Sequence, residues 1–169
     1  LSFAMPIGAS GVSVGASVAE LQYNVGKNLK DAQASGSAKV SSFFVNDALY
    51  RSRKANVNLS LAAEFRHFQD ITSATVVDKS ARFWSATLYG DWRDNLLGAQ
   101  GNNQWSLRYG RGQLDKETAN DAALDAITSK AAGNYSKSNV SFSRLQQLGG
   151  GYSLLAAVSA QFANKNLDA

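Results

Sequence analysis

From Asn56 to Phe68 the chain reads NVNLSLAAEFRHF, with Val57, Leu59, Leu61, Ala63 and Phe65 in one phase and Asn58, Ser60, Glu64 and Arg66 in the other. Side chains of a strand point alternately to opposite faces, so this stretch reads as a strand with one oily and one wet side. The same period recurs in NQWSLRYG, where Trp105, Leu107 and Tyr109 oppose Gln104, Ser106 and Arg108, and again from Tyr152 to Phe162. Repeated in this way, the pattern confines the chain to a sheet that separates an apolar medium from a polar one.

Composition narrows what those media can be. The 169 residues suffice for one domain, and no linker of distinct composition marks a second. The hydrophobic share is 44%, dispersed, and no apolar run reaches the roughly 18 residues of a membrane helix. A spanning strand needs only about 9 to 11 residues and hides its lipid face in alternation, so a mean hydropathy of -0.23 leaves a membrane barrel open. Cysteine is absent and histidine occurs once, which removes disulfides, thiolate sites and imidazole clusters, so neither a metal nor a cofactor is expected. The excess of 17 basic over 13 acidic residues forms no dense basic block, and nucleic acid is not an expected partner. Leu1 to Pro6 has neither the charge nor the length of a secretory leader, and the chain reads as a piece of something longer.

Breaker residues divide the chain into eight strand-like segments, at about 1–5, 12–25, 37–47, 56–68, 81–93, 103–112, 134–147 and 151–163. Their connections alternate: a short PIGASG, a long GKNLKDAQASG, the turn ALYRSRKA, then QDITSATVVDKS, DNLLGAQGN, the longest from Gln113 to Gly133, and GGG. Such alternation describes an all-β, antiparallel up-and-down meander with two different ends, as in barrels with tight periplasmic turns and longer extracellular loops. With the short turns periplasmic, the last segment runs outward. Trp92 and Trp105 flank one short turn, and Phe68 and Trp84 stand near one long loop, which predicts two aromatic belts.

Some segments fit the period badly. Val12, Val14, Ala16 and Val18 share one phase but Leu21, Tyr23 and Val25 the other, which predicts a bulge near Ala19. Segment three alternates ambiguously between Lys39, Phe43 and Val45 on one side and Val40 and Phe44 on the other. Segment seven keeps only Val140 and Phe142 before Arg144 and Leu145. In the longest loop, Ala119, Ala122, Ala123, Ala126 and Ile127 recur at helical spacing behind Asp115 as an N-cap, predicting a short surface helix.

No catalytic motif is visible: there is no G-x-S-x-G elbow and no P-loop, and Gly8, Gly11 and Gly15 are wrongly spaced and placed in a turn. His67 alone, at a strand end, reads as an interfacial polar residue, and Asp91 with Asp94 or Asp121 with Asp125 as pore wall, turn or solvated helix face. The chain is not expected to be an enzyme. The polar phase carries Glu64, Arg66, Asp91, Arg108 and Gln161, which line the lumen if the sheet is a barrel wall and form a solvated outer face if it is a soluble sheet.

The turn ALYRSRKANVNL and the ending QFANKNLDA resemble the haemolysin secretion/activation family, the TpsB-type translocators of two-partner secretion. The likeness spans nearly the whole chain. It rests on MPIGASG leading into a strand, and on Leu49, Arg51, Ser52, Arg53, Asn56 and Leu59 against the pattern P-L-x-R-S-R-x-x-N-L. Asp91, Arg93, Asp94 and Asn95, then Arg144, Gln146 and Leu148, and finally Asn164 to Asp168 complete it. Ala48 stands where the family usually has proline, which loosens that turn. The resemblance implies a sixteen-stranded barrel in the outer membrane of a Gram-negative bacterium, preceded by POTRA domains, that secretes a large haemolysin-, adhesin- or haemagglutinin-type exoprotein. This chain would supply the fourth to eleventh strands and stop before the lumen loop with the V-R-G-Y-type motif. Arg51, Arg53 and Lys54 would then form a periplasmic turn facing passenger or acidic headgroups.

Two other classes use the same alternation: a complete small porin-like barrel, and a soluble secreted β-domain acting as adhesin or binding module. The expected partners are a secreted exoprotein and the lipid bilayer. An isolated set of eight strands also has open edges that must close, pair or self-associate.

Overall fold

The computed structural model describes residues 1–24, 34–72 and 75–166. Its strands are β1 (Ser2–Ile7), β2 (Val12–Asn24), β3 (Ser35–Arg51), β4 (Ala55–Ile71), β5 (Val76–Asp94), β6 (Gly101–Lys116), β7 (Gly133–Gly149) and β8 (Tyr152–Ala163). All neighbours pair antiparallel, in the order β1-β2-β3-β4-β5-β6-β7-β8 of one open sheet. The expected all-β meander is present, with every predicted segment as a strand. Most of the connection 26–36 and the final residues 167–169 lie outside the described residues.

Pairing resolves the doubtful phases. The β2–β3 ladder runs without interruption from Ser13↔Asn46 to Asn24↔Ser35, so the predicted bulge near Ala19 is not there. Val18 and Glu20 stay on one face, and Leu21 and Tyr23 lie on the other. Irregularities occur instead between Asp47 and Tyr50 in β3 and between Gln147 and Gly149 in β7, both at the short-turn end. Ala48 therefore lies in a bulge and not in the turn. That turn is closed by Ser52, whose hydroxyl donates to the Ala55 carbonyl and accepts from the Ala55 amide, both at 2.9 Å. In the β7–β8 turn, Gly149, Gly150 and Gly151 have φ of 82°, 59° and 82°, a run of left-handed backbone that accounts for three consecutive glycines.

The predicted helix exists as α1 (Ala119–Ile127), but its N-cap is Thr118, with no side-chain cap, and Asp115 belongs to β6. Gly8 and Gly11 sit in the β1–β2 turn, while Gly15 lies within β2. No helix among the described residues is long and apolar enough to cross a membrane, which leaves strand-spanning proteins untouched.

Two adjacent rows of paired residues cross all eight strands. Met5, Val14, Val45, Leu61, Ala86, Tyr109, Ser138 and Phe162 lie on one face. One residue along each strand, Pro6, Ser13, Asn46, Ser60, Thr87, Arg108, Asn139 and Gln161 lie on the other. The apolar face is not a dry interior: Leu61 and Leu107 are each 47% exposed and Leu154 55%.

Aromatic side chains border this apolar face at two levels. Toward the short turns, Trp92 and Phe142 have ring centroids 5.8 Å apart, and Trp105 is in register with Phe142. Toward the long connections, Phe43, Phe65 and Trp84 meet edge-on at 6.5 and 6.4 Å. Phe68, expected in that belt, pairs with Ala38 and Lys79 on the polar face. Trp84 and Trp92 are eight residues apart on β5, about 27 Å along a strand and roughly 21 Å in height at a tilt of about 40°. An apolar band of about 25 Å flanked by aromatic girdles is the form of an outer-membrane barrel wall.

Candidate pore wall

All five residues assigned from sequence to a lumen lie on the polar face, and three of them meet. Glu64 on β4 accepts hydrogen bonds from Arg66 on its own strand and from Arg108 of β6, the latter at 2.5 Å. Arg108 also donates to Ser85 Oγ at 3.0 Å, so a single guanidinium ties β4, β5 and β6 together. Gln161 lies further along the row of Arg108, where its Oε1 accepts from Asn139 Nδ2 at 2.8 Å. Asp91 sits apart, toward the short turns, where Asn56 Nδ2 donates to both carboxylate oxygens at 3.1 Å. Arg51 ends β3 in register with Asn56, and Arg53 and Lys54 are exposed in the following turn.

Three further residues complete the cluster and escaped the sequence reading. Phe83, 2% exposed, is in register with Glu64 and stacks on Tyr135 of β7 at 5.9 Å and 11°. The Arg108 guanidinium and the Lys137 ammonium stand 5.2 and 5.0 Å from the Phe83 centroid, within cation–π range. Room for the rings comes from β6. A Cβ on Gly110 would fall 2.2 Å from the Phe83 ring, and one on Gly112 would fall 2.5 Å from Tyr135. The G-x-G of YGRGQ was the available signal, since paired glycines in one phase make a trough for aromatics on the flanking strands. Arg66, Arg108 and Lys137 set against Glu64 leave this part of the face with excess positive charge, and the Nε atoms of both arginines are buried with no hydrogen-bond partner.

The β6–β7 connection folds over the same face at its long-connection end. Asp125 of α1, 3% exposed, takes a 3.0 Å ion pair from Lys116 and accepts from Ser129 Oγ and from the amides of Ala131 and Ala132. Ala131 packs on Ala81 and Leu114, two polar-phase residues of β5 and β6. The hydrogen bonds from Ser129 and Ala132, with those from Lys116 and Ala131, outweigh burial and hold the Asp125 carboxyl well below the ordinary carboxylate range.

Another polar group lies on the apolar phase, beyond Trp92 and Phe142. Arg144 donates through both terminal nitrogens to Asp94, each at 2.8 Å, and Asn103 links the pair at 2.7 Å on either side. Arg144 also donates to Gln146 Oε1, whose amide in turn donates to the Leu96 and Ala99 carbonyls of the β5–β6 turn at 3.3 and 3.2 Å. Asn103 and Gln146 are 1% and 4% exposed.

An open antiparallel meander with an aromatic-bordered apolar face and a hydrogen-bonded charged face defines a class, the wall of a transmembrane β-barrel. Comparison with protein families sharpens it: the family of haemolysin secretion/activation proteins ShlB/FhaC/HecB matches residues 1–169, and the chain belongs to that family. Its members are outer-membrane translocators of two-partner secretion, each working with a secreted exoprotein. No curated protein and no solved structure matches the chain.

Proposed function

We propose that the chain supplies the central strands of a sixteen-stranded outer-membrane pore of a Gram-negative bacterium, through which a large exoprotein of haemolysin, adhesin or haemagglutinin type is secreted. The observation that carries this is the adjacency of the Leu61 and Ser60 rows across all eight strands, the first apolar except at Ser138 and the second polar except at Pro6. In this reading the apolar face meets lipid, and Glu64, Arg66, Asp91, Arg108 and Gln161 line the lumen beside Phe83, Tyr135 and Lys137. Arg51, Arg53 and Lys54 border the periplasmic mouth, near passenger and acidic headgroups. The edges β1 and β8 are completed by further strands of the barrel, and an isolated piece would instead self-associate through them. A wide polar wall lets an extended polypeptide pass without exposure to lipid.

The test uses the full-length protein in planar bilayers and in a secretion assay. Charge reversal at Arg66 and Arg108 should change conductance and slow secretion of the exoprotein. In a full-length protein freed of any other cysteine, single cysteines at Ser60 and Thr87 should react with a water-soluble thiol reagent, and those at Leu61 and Ala86 should not. Unchanged conductance and secretion, with equal labelling of both rows, would remove the lumen assignment.

A further inference from the structure

Away from the polar wall, His67 of β4, Asp78 of β5 and Glu117, the residue after β6, converge at the long-connection end of the sheet. One ligand atom from each lies within 4.8 Å of the others, and His67 Nδ1 stands 3.5 Å from Asp78 Oδ1. His67 and Asp78 are on the apolar phase, past Phe65 and Trp84, so they lie outside the apolar band. Glu117 is brought there by its backbone amide, which donates to the Asp78 carbonyl at 3.0 Å, and Thr118 Oγ1 donates to the Val76 carbonyl at 3.3 Å.

The separation of the donors is informative. At 3.5 Å the imidazole and carboxylate are too far apart for a good hydrogen bond. Ligands about 2.1 Å from a tetrahedral ion are separated by about 3.4 Å along each edge of the tetrahedron. Independently, among the described residues Asp78 Oδ1 is buried with no hydrogen-bond partner and Oδ2 accepts a 3.5 Å contact from Gln69 Nε2, on a side chain that is 22% exposed as a whole. A buried carboxylate oxygen without a hydrogen bond is costly unless a cation or donor meets it.

We propose that His67, Asp78 and Glu117 form a divalent-metal site, with water in the fourth position. One imidazole nitrogen and two carboxylates suit Zn2+ better than Ca2+ or Mg2+, which favour shells made of oxygen alone. The ion would staple the β4–β5 hairpin to the start of the β6–β7 connection. This assignment goes beyond the secretion reading and stands whether or not that reading holds.

The full-length protein, stripped with chelator and kept folded in detergent, is titrated with Zn2+ by calorimetry, and Co2+ is followed by its visible absorption. We expect one equivalent of Zn2+ bound, a raised unfolding temperature, and a Co2+ spectrum of tetrahedral intensity. His67→Ala, Asp78→Asn and Glu117→Gln should each weaken binding at least about tenfold. His67→Cys should retain it, and Asp115→Asn, two residues nearer the level of Trp84 than Glu117, should leave it unchanged. Retained electrophoretic heat-modifiability establishes that each variant is folded. Absence of stoichiometric Zn2+ uptake, uptake unaffected by all three ligand substitutions, or preference for Ca2+ would overturn the proposal.

Discussion

Two arginine–carboxylate groups lie on opposite faces of this sheet, and the environment of each is set by two coordinates. Glu64 with Arg66 and Arg108 belongs to the polar phase, reaching from the middle row to the level of Phe65, and is held against Phe83. Asp94 with Arg144 belongs to the apolar phase, next to Trp92 and Phe142, yet is as fully hydrogen-bonded. Phase selects the face, and distance along the strand selects the medium. An arginine on the apolar phase is tolerated once it has passed the aromatic girdle, where headgroups and water replace hydrocarbon.

The widest separation between the two regimes should come from placing one charge at matched depth on either face. Leu61→Arg, in the middle of the apolar row, should destabilise the folded barrel by about 2–4 kcal/mol, and Ser60→Arg by less than about 1 kcal/mol. Reversible urea unfolding in lipid vesicles measures both. Equal effects would mean that the apolar row does not face hydrocarbon.

A smaller effect probes the Asp94–Arg144 group itself. Asn103 is 1% exposed and bonds Arg144, Asp94 and the Trp92 carbonyl at once. Asn103→Ala should destabilise the protein by about 1–3 kcal/mol, because it leaves buried partners unmet. Asn139→Ala, which removes one hydrogen bond in the polar row, should stay within about 0.5 kcal/mol in the same assay. If the order of the two is reversed, the network beyond the girdle is solvated and gives the turn no support.

The same two coordinates explain what could be read from the residues alone. Alternation from Val57 to Phe65, and from Gln104 to Tyr109, lies at depths where phase and medium agree, so the faces of β4 and β6 were legible there. Glu20 and Arg144 lie where they disagree. Glu20 pairs with Lys39, which pairs with His67, all past the level of Phe65, so the strand leaves the apolar band without changing phase. A one-dimensional pattern reads that exit as a bulge. Phe83 and Tyr135 were missed for the converse reason, since aromatics on a polar phase need a neighbouring strand of glycine to lie over, and Gly110 and Gly112 reach them only through pairing. His67, Asp78 and Glu117 likewise come from separate elements, so their convergence was not visible to a reading that took one histidine and no cysteine as grounds for expecting no metal.

Asp125 supplies the finest test of depth, because it is a buried carboxylate on the polar-face side but on a connection outside the strands. Its folded-state pKa lies below the ordinary value, mainly through Ser129 and the Ala132 amide. The sign follows from linkage: the stabilisation is fully present above the unfolded value of about 3.9 and is lost as pH falls through the depressed folded value. Amide hydrogen exchange at Ala131 and Ala132, which donate to this carboxylate, reads the contact directly. After correction for intrinsic exchange, their protection should be flat from about pH 8 to pH 5 and fall only below about pH 4. Asp125→Asn should lower that protection about tenfold at neutral pH while leaving the strand amides of Ser60 and Thr87 unchanged. Protection that fades between pH 7 and pH 5 would show that some group other than this carboxylate fastens the connection to the wall.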